Sequence, residues 1–114
     1  MRAPLYGGLL LALAGCGGSA IPGPKMGPHV AEEPVVVPYP PPPARVEIIP
    51  SPPEGVKHPV WIDGEWQWKG SRWVWRAGAW QVAPAGAYYA APLTVRRADG
   101  ELAYFPGGWK TKGK

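Results

Sequence analysis

The side chains able to do chemistry in this chain are few and unevenly placed. There is one cysteine, Cys16, with two histidines, His29 and His58, and eight Asp and Glu against twelve Lys and Arg. Catalysis or metal binding needs such groups gathered, as a base beside an orienting partner or as several ligands at short spacing. His29 and His58 lie in or beside a proline-rich stretch, far from Cys16 and from any acidic cluster, and read as solvated loop residues. Asp63, Asp99 and Ser71 sit next to glycines, where turns favour Asp and Ser. The glycines there occur singly, not as a phosphate-cradling loop. The expectation is no enzyme, no metal and no cofactor. The seven tryptophans are what remains, since an exposed indole face can stack on a sugar ring or anchor a protein contact. Arg72, Arg76, Arg96 and Arg97 would add hydrogen bonds or charge toward an anionic glycan.

Cys16 has a specific setting. Arg2 is followed by an apolar run, Leu5 to Ala14, too short to cross a bilayer as a helix. The run ends in Leu13-Ala14-Gly15-Cys16, which resembles the lipobox of bacterial lipoprotein precursors. That resemblance implies a signal peptide over residues 1–15, cleavage before Cys16, and acyl chains on its thiol and new amine. Three chains at about 0.8 kcal/mol per buried methylene make such an anchor effectively permanent. Gly17, rather than Asp, follows the cysteine. By resemblance to enterobacterial sorting this implies the outer membrane, on its periplasmic or surface face.

With 114 residues the chain can hold one small domain and a tail. Thirteen prolines and no tryptophan fall between Gly17 and Pro59. Tyr39-Pro40-Pro41-Pro42-Pro43 and Ser51-Pro52-Pro53 fix φ near −65° and hold their neighbours extended. Residues 16–59 therefore read as the lipidated cysteine and a disordered proline-rich linker. In polyproline II form, at about 3.1 Å per residue, it would reach on the order of 100 Å. It would lift a module off the membrane or serve as a docking peptide for a proline-reading partner. Val35–Val37 and Val46–Ile49 are apolar enough to lie along the module as an edge strand. From Val60 onward eight basic residues face four acidic ones. That balance favours acidic surfaces and is too dispersed for nucleic acid.

All seven tryptophans lie from Trp61 onward, and their register repeats. Trp61-Ile-Asp-Gly64-Glu-Trp66 recurs 14 residues later as Trp75-Arg-Ala-Gly78-Ala-Trp80, and Tyr104-Phe-Pro-Gly107-Gly-Trp109 is a degenerate third copy. Gly at the second centre of a two-residue turn would put Trp61 opposite Trp66, Trp75 opposite Trp80 and Tyr104 opposite Trp109. A type II′ turn at Gly70-Ser71 would pair Trp68 with Trp73, Trp66 with Trp75 and Glu65 with Arg76. All six clustered tryptophans would then share one face, with Glu65 and Arg76 on the other. A last hairpin, turning at Asp99-Gly100, would set Val95 opposite Tyr104. Leu93, Val95, Leu102, Tyr104 and Trp109 would cover the aromatic face. The expected fold class is all-β: a small antiparallel meander or sandwich of short hairpins over residues 60–114, after a disordered arm.

These repeats resemble the WxxGxW (also YxWxGxW) repeat proteins, small secreted bacterial proteins, often lipoproteins, whose role is unassigned. Tyr104 in place of Trp and Pro106 before Gly107 depart from the pattern. The resemblance implies no catalytic residues. The functional expectation is a membrane-anchored lipoprotein of the cell envelope, with a structural or protein-interaction role. The alternative is a cell-wall glycan-binding module using exposed Trp. The partners are the membrane, through Cys16, and either envelope proteins or an anionic glycan.

Overall fold

The computed structural model describes residues 20–112, so Leu13, Ala14, Gly15 and Cys16 lie outside the described residues. It has no helix among those residues and nine short strands: β1 (Val35–Val37), β2 (Pro59–Ile62), β3 (Glu65–Lys69), β4 (Arg72–Arg76), β5 (Ala79–Val82), β6 (Ala87–Ala90), β7 (Leu93–Arg96), β8 (Leu102–Phe105) and β9 (Gly108–Thr111). The all-β class and the short antiparallel hairpins are as expected. The meander is not: β2 pairs with β5 and β3 with β4, so the four strands nest as one long hairpin around Gly70-Ser71. Gly70 takes φ +68° while Ser71 stays negative, the pattern of a type II′ turn.

The register explains why the other turns do not form. Ile62 lies opposite Ala79 and Glu65 opposite Arg76, leaving two residues on each side between the paired stretches. One register therefore runs the length of the hairpin, and the ladder opens at Asp63-Gly64 and Ala77-Gly78. Neither glycine has positive φ, so both are kinks in a strand, not hairpin turns. Trp61 faces Trp80 instead of Trp66; the expected Trp66–Trp75 pair forms, and the expected Trp75–Trp80 pair does not.

The second half of the chain repeats the plan. β6 pairs with β9 and β7 with β8, again in one register, with the ladder open at Ala91-Pro92 and Pro106-Gly107. Tyr104 lies opposite Thr94, and Trp109 opposite Tyr89, so the expected Tyr104–Trp109 pair does not occur. Val95 faces Ala103 rather than Tyr104. The cause is the turn: Arg97 N–H bonds to Glu101 O, which leaves three loop residues, not two. Gly100 closes the loop at φ +93° and Asp99 Oδ1 accepts the Glu101 N–H. A type I turn followed by a left-handed residue shifts the pairing by one position.

The arm is not a free linker. β1 pairs antiparallel with β8, so Val35–Val37 forms the edge of a three-stranded β1-β8-β7 sheet. Upstream, Pro22 O accepts the Trp61 N–H and Lys25 O the Tyr89 N–H, tying residues 22–27 to both hairpins. The core lies where the outer end of the first hairpin packs on this sheet. Val37, Trp73, Leu102 and Tyr104 are buried together, with Trp66 and Trp68 against them. Tyr104 meets Trp73 edge-on at 4.9 Å and its hydroxyl donates to Trp66 O.

Candidate functional site

The tryptophans form a ladder of cross-strand pairs. Ring centroids are 5.1 Å apart for Trp68–Trp73, 5.2 Å for Trp66–Trp75 and 5.5 Å for Trp61–Trp80, all edge-to-face, the arrangement that the ring quadrupole favours. The glycines make room for this ladder. A Cβ on Gly78 would stand 2.5 Å from Trp61 Cζ2 and 2.8 Å from Ile62 O. A Cβ on Gly64 would overlap the Trp75 indole and come within 2.8 Å of Arg76 O. Each repeat's first tryptophan thus lies over the other repeat's glycine, two residues before the tryptophan it faces. Diagonal neighbours across a strand pair are within reach of an aromatic side chain. The spacing Gly-x-Trp is therefore what lets one indole occupy both a pair and the adjoining kink.

Gly107 is the corresponding glycine of the second hairpin, but there an added Cβ would first overlap the Glu65 carboxylate and then stand 2.9 Å from the Tyr89 hydroxyl. Tyr89–Trp109, at 5.3 Å, occupies the place of Trp61–Trp80. The structural unit is the kinked hairpin, and Tyr89-Ala-Ala-Pro92-Leu-Thr94 is its fourth, eroded limb. Tyr89 is a site residue that the sequence reading passed over. Its signal is the spacing Tyr-x-x-Pro-x-Thr at the same distance from its turn.

The proline arm runs along the ladder as a strap. Trp73 Nε1 donates to Tyr39 O at 3.1 Å, Trp66 Nε1 to Pro43 O at 3.0 Å, and Trp80 Nε1 to Pro50 O at 2.9 Å. Tyr39 meets Trp68 edge-on, and the Arg45 guanidinium lies over Trp66 at 5.0 Å and Trp75 at 5.8 Å. Glu47 fastens the middle: Oε2 accepts Trp75 Nε1 at 2.8 Å and Oε1 accepts the Gly78 N–H at 2.9 Å. These two donors hold the Glu47 carboxyl below its ordinary pKa. Polyproline II suits this duty, since it has no internal hydrogen bonds and its carbonyls stay free for donors. The strap follows the rungs in order from Trp73 to Trp80, so the expected disordered linker is instead a fixed part of the fold over Tyr39–Pro50. Its other apolar stretch, Val46–Ile49, lies along the module but enters no ladder.

Trp61 Nε1 donates to Asp63 and Trp109 Nε1 to Gln81. Six of the seven indole N–H groups therefore have partners within the chain. Between the strap and residues 24–26 lies a cleft of about 450 Å³, with Trp61, Trp75 and Tyr89 on its wall beside Arg45 and Glu47. Of the ladder tryptophans, Trp61 and Trp73 are buried and Trp66, Trp68, Trp75 and Trp80 are half-buried.

One acidic group is deeply buried. Glu65, 3 % exposed, accepts Arg76 Nη2 at 2.9 Å, the Tyr89 hydroxyl at 3.1 Å and the Gly107 N–H at 3.2 Å. Its pairing with Arg76 is the expected one, and Tyr89 and Gly107 of the second hairpin close over it. Burial and the neighbouring Glu65 charge push the Tyr89 hydroxyl up to about 12, and the same two causes push Tyr104 to about 12. Neither tyrosine is a base or an acid at neutral pH. His29, expected as a solvated loop residue, is half-buried: Nδ1 meets Glu32 at 2.8 Å and Nε2 meets Ala91 O at 2.6 Å. Lys110 meets the same Glu32 at 3.0 Å. His58 is exposed. Among the described residues no three His, Cys, Asp or Glu side chains gather as metal ligands.

The family model for the WXXGXW repeat matches residues 60–81 in two copies, all but the two end residues of the first kinked hairpin, and those residues are WXXGXW repeats. No curated protein and no solved structure matches the chain.

Proposed function

We propose that this chain is a lipid-anchored protein of the bacterial envelope with a structural or protein-interaction role, carried on Cys16. The observation that supports a structural role over glycan binding is the occupied ladder. Four indole N–H groups are spent on the strap, and the Trp rings meet one another edge-to-face, with Arg45 of the arm over Trp66 and Trp75. A sugar ring stacking on Trp66 or Trp75 where Arg45 lies would have to displace the protein's own side chain. The strap also changes what the anchor does. Pro22 is already fastened to Trp61, so six residue steps separate it from Cys16, roughly 20 Å when fully extended. The module then rests beside the membrane and is not lifted about 100 Å away.

Two measurements on the full chain test this. Labelled fatty acid is expected in the wild type and absent in Cys16→Ala, which also leaves the membrane fraction; equal labelling would overturn the anchor. Titration with an anionic polysaccharide is expected to leave the Trp emission unchanged. A saturable shift, lost on substitution of a strap-facing tryptophan while the circular dichroism holds, would overturn the structural role and favour glycan binding.

A further inference from the structure

The strap turns two of its three large aliphatic side chains, Val46 and Ile48, the wrong way for a buried segment. Along Ala44-Arg45-Val46-Glu47-Ile48-Ile49 the side chains alternate as in a strand. Arg45 lies over Trp66 and Trp75, and Glu47 binds Trp75 and Gly78. Ile49 lines the cleft beside Trp61. Val46 and Ile48 point the other way and are 99 % and 93 % exposed, backbone included. Among the described residues no backbone hydrogen bond reaches Ala44–Ile49. The segment is thus held extended by its own inward side chains, while its N–H and C=O groups remain open. Pro43 and Pro50 bound it on either side, each unable to donate to a ladder. Such an edge is a template for another strand.

We propose that Ala44–Ile49 is a self-pairing edge that docks antiparallel on the same segment of a second copy. The sequence is complementary to itself about Val46. With Val46 opposite Val46, each Arg45 stands opposite a Glu47 of the other copy, and each Ala44 opposite an Ile48. Opposite charges directly across a strand pair favour the register, and like charges disfavour one centred on Glu47. A register centred on Ile48 would pair only Glu47–Ile49 before Val46 met Pro50, which has no N–H to give, whereas the Val46 register pairs the five residues Ala44–Ile48 before Ile49 meets Pro43. The twofold pairing gives the isologous contact typical of symmetric dimers. The edge is short, so the dimer depends on copies held at high density, which rests on the proposed lipid anchor at Cys16.

The register is testable by cross-linking in the membrane fraction of cells making the full chain. Directly opposed residues have Cα atoms about 4.5–5.5 Å apart, within disulfide reach. Val46→Cys is expected to form a disulfide-linked dimer under mild oxidation. Ile48→Cys is not, because its twin lies four residues along, roughly 13 Å away. Co-expressed Ala44→Cys and Ile48→Cys chains are expected to link to each other. All three positions are exposed, so loss of folding does not confuse the result. Equal dimer from Val46→Cys and Ile48→Cys, or none from either, would overturn the pairing. A dimer from the wild-type chain would mean that the Cys16 thiol is free. The anchor would then have failed, and the Val46/Ile48 contrast, repeated with Cys16→Ser, would decide the edge separately.

Discussion

Replacement of Gly78 tests the central relation between motif and fold. If Ala77-Gly78 were a hairpin turn with positive φ, asparagine would serve there nearly as well as glycine. In the kinked hairpin the position is closed for a different reason. A Cβ would lie 2.5 Å from Trp61 Cζ2 and 2.8 Å from Ile62 O, against about 3.5–4.0 Å for comfortable contact. Neither neighbour can yield easily. Trp61 is 8 % exposed, its indole N–H is bonded to Asp63 and its ring meets Trp80 edge-on. Ile62 O belongs to the backbone of β2, which is paired with β5. Overpacking of this kind costs about 1–3 kcal/mol, and a rigid backbone oxygen places Gly78→Ala toward the upper end. For a domain of this size that lowers the melting temperature on the order of 5–20 °C. Gly78→Asn should be no better than alanine. Gly108 is the internal control: its φ is not positive and nothing lies within 4 Å of an added Cβ, so Gly108→Asn should lose about 1 kcal/mol or less. Urea unfolding of the full chain, followed by Trp emission and far-ultraviolet circular dichroism, reads all three. A Gly78→Asn variant as stable as the wild type would refute the packing argument.

Two further outcomes follow from the join between the hairpins. Glu65→Ala should destabilise by roughly 3 kcal/mol, because it leaves Arg76, the Tyr89 hydroxyl and the Gly107 N–H without their shared acceptor; an unfolding midpoint unchanged from wild type would contradict this. Tyr89 and Tyr104 carry raised pKa values of about 12 in the folded state against about 10 unfolded, so they contribute stability below pH 10 that is lost as pH rises toward 12. Tyrosinate absorbance should therefore show a component near pH 12 in the native chain that moves to about 10 in urea, together with alkaline unfolding in that interval; its absence would mean that these hydroxyls are solvated.

Much was legible in the residues themselves. The tryptophan spacing called for strands, and Gly70-Ser71 between alternating aromatics set the one turn that fixes Trp66 on Trp75 and Trp68 on Trp73. Those pairings follow from local chain geometry and a period of two, which act within about ten residues. The edge strand at Val35–Val37 was visible as an apolar β-branched run. What the sequence could not say was which of two roles the repeat glycines had. A Gly beside Asp or Ala looks the same whether it turns the chain or admits an indole, and the choice depends on what lies across the hairpin. Trp61 reaches Gly78 from 17 residues away in sequence.

The arm shows the same limit from the other side. Its prolines fixed a donor-poor backbone by local sterics alone, and residues 40–50 enter no helix or ladder. Whether such a chain floats or is fastened depends on donors elsewhere. Here they are the indole N–H groups of Trp66, Trp73 and Trp80, more than 20 residues away, each aligned by its cross-strand partner. The burial of Glu65 likewise required the second hairpin to close over a face that its own hairpin leaves open. Local propensity and spacing determined the strands and one turn. Tertiary structure decided the kinks, the strap and the buried carboxylate, because each is set by contacts between segments that one-dimensional spacing does not encode.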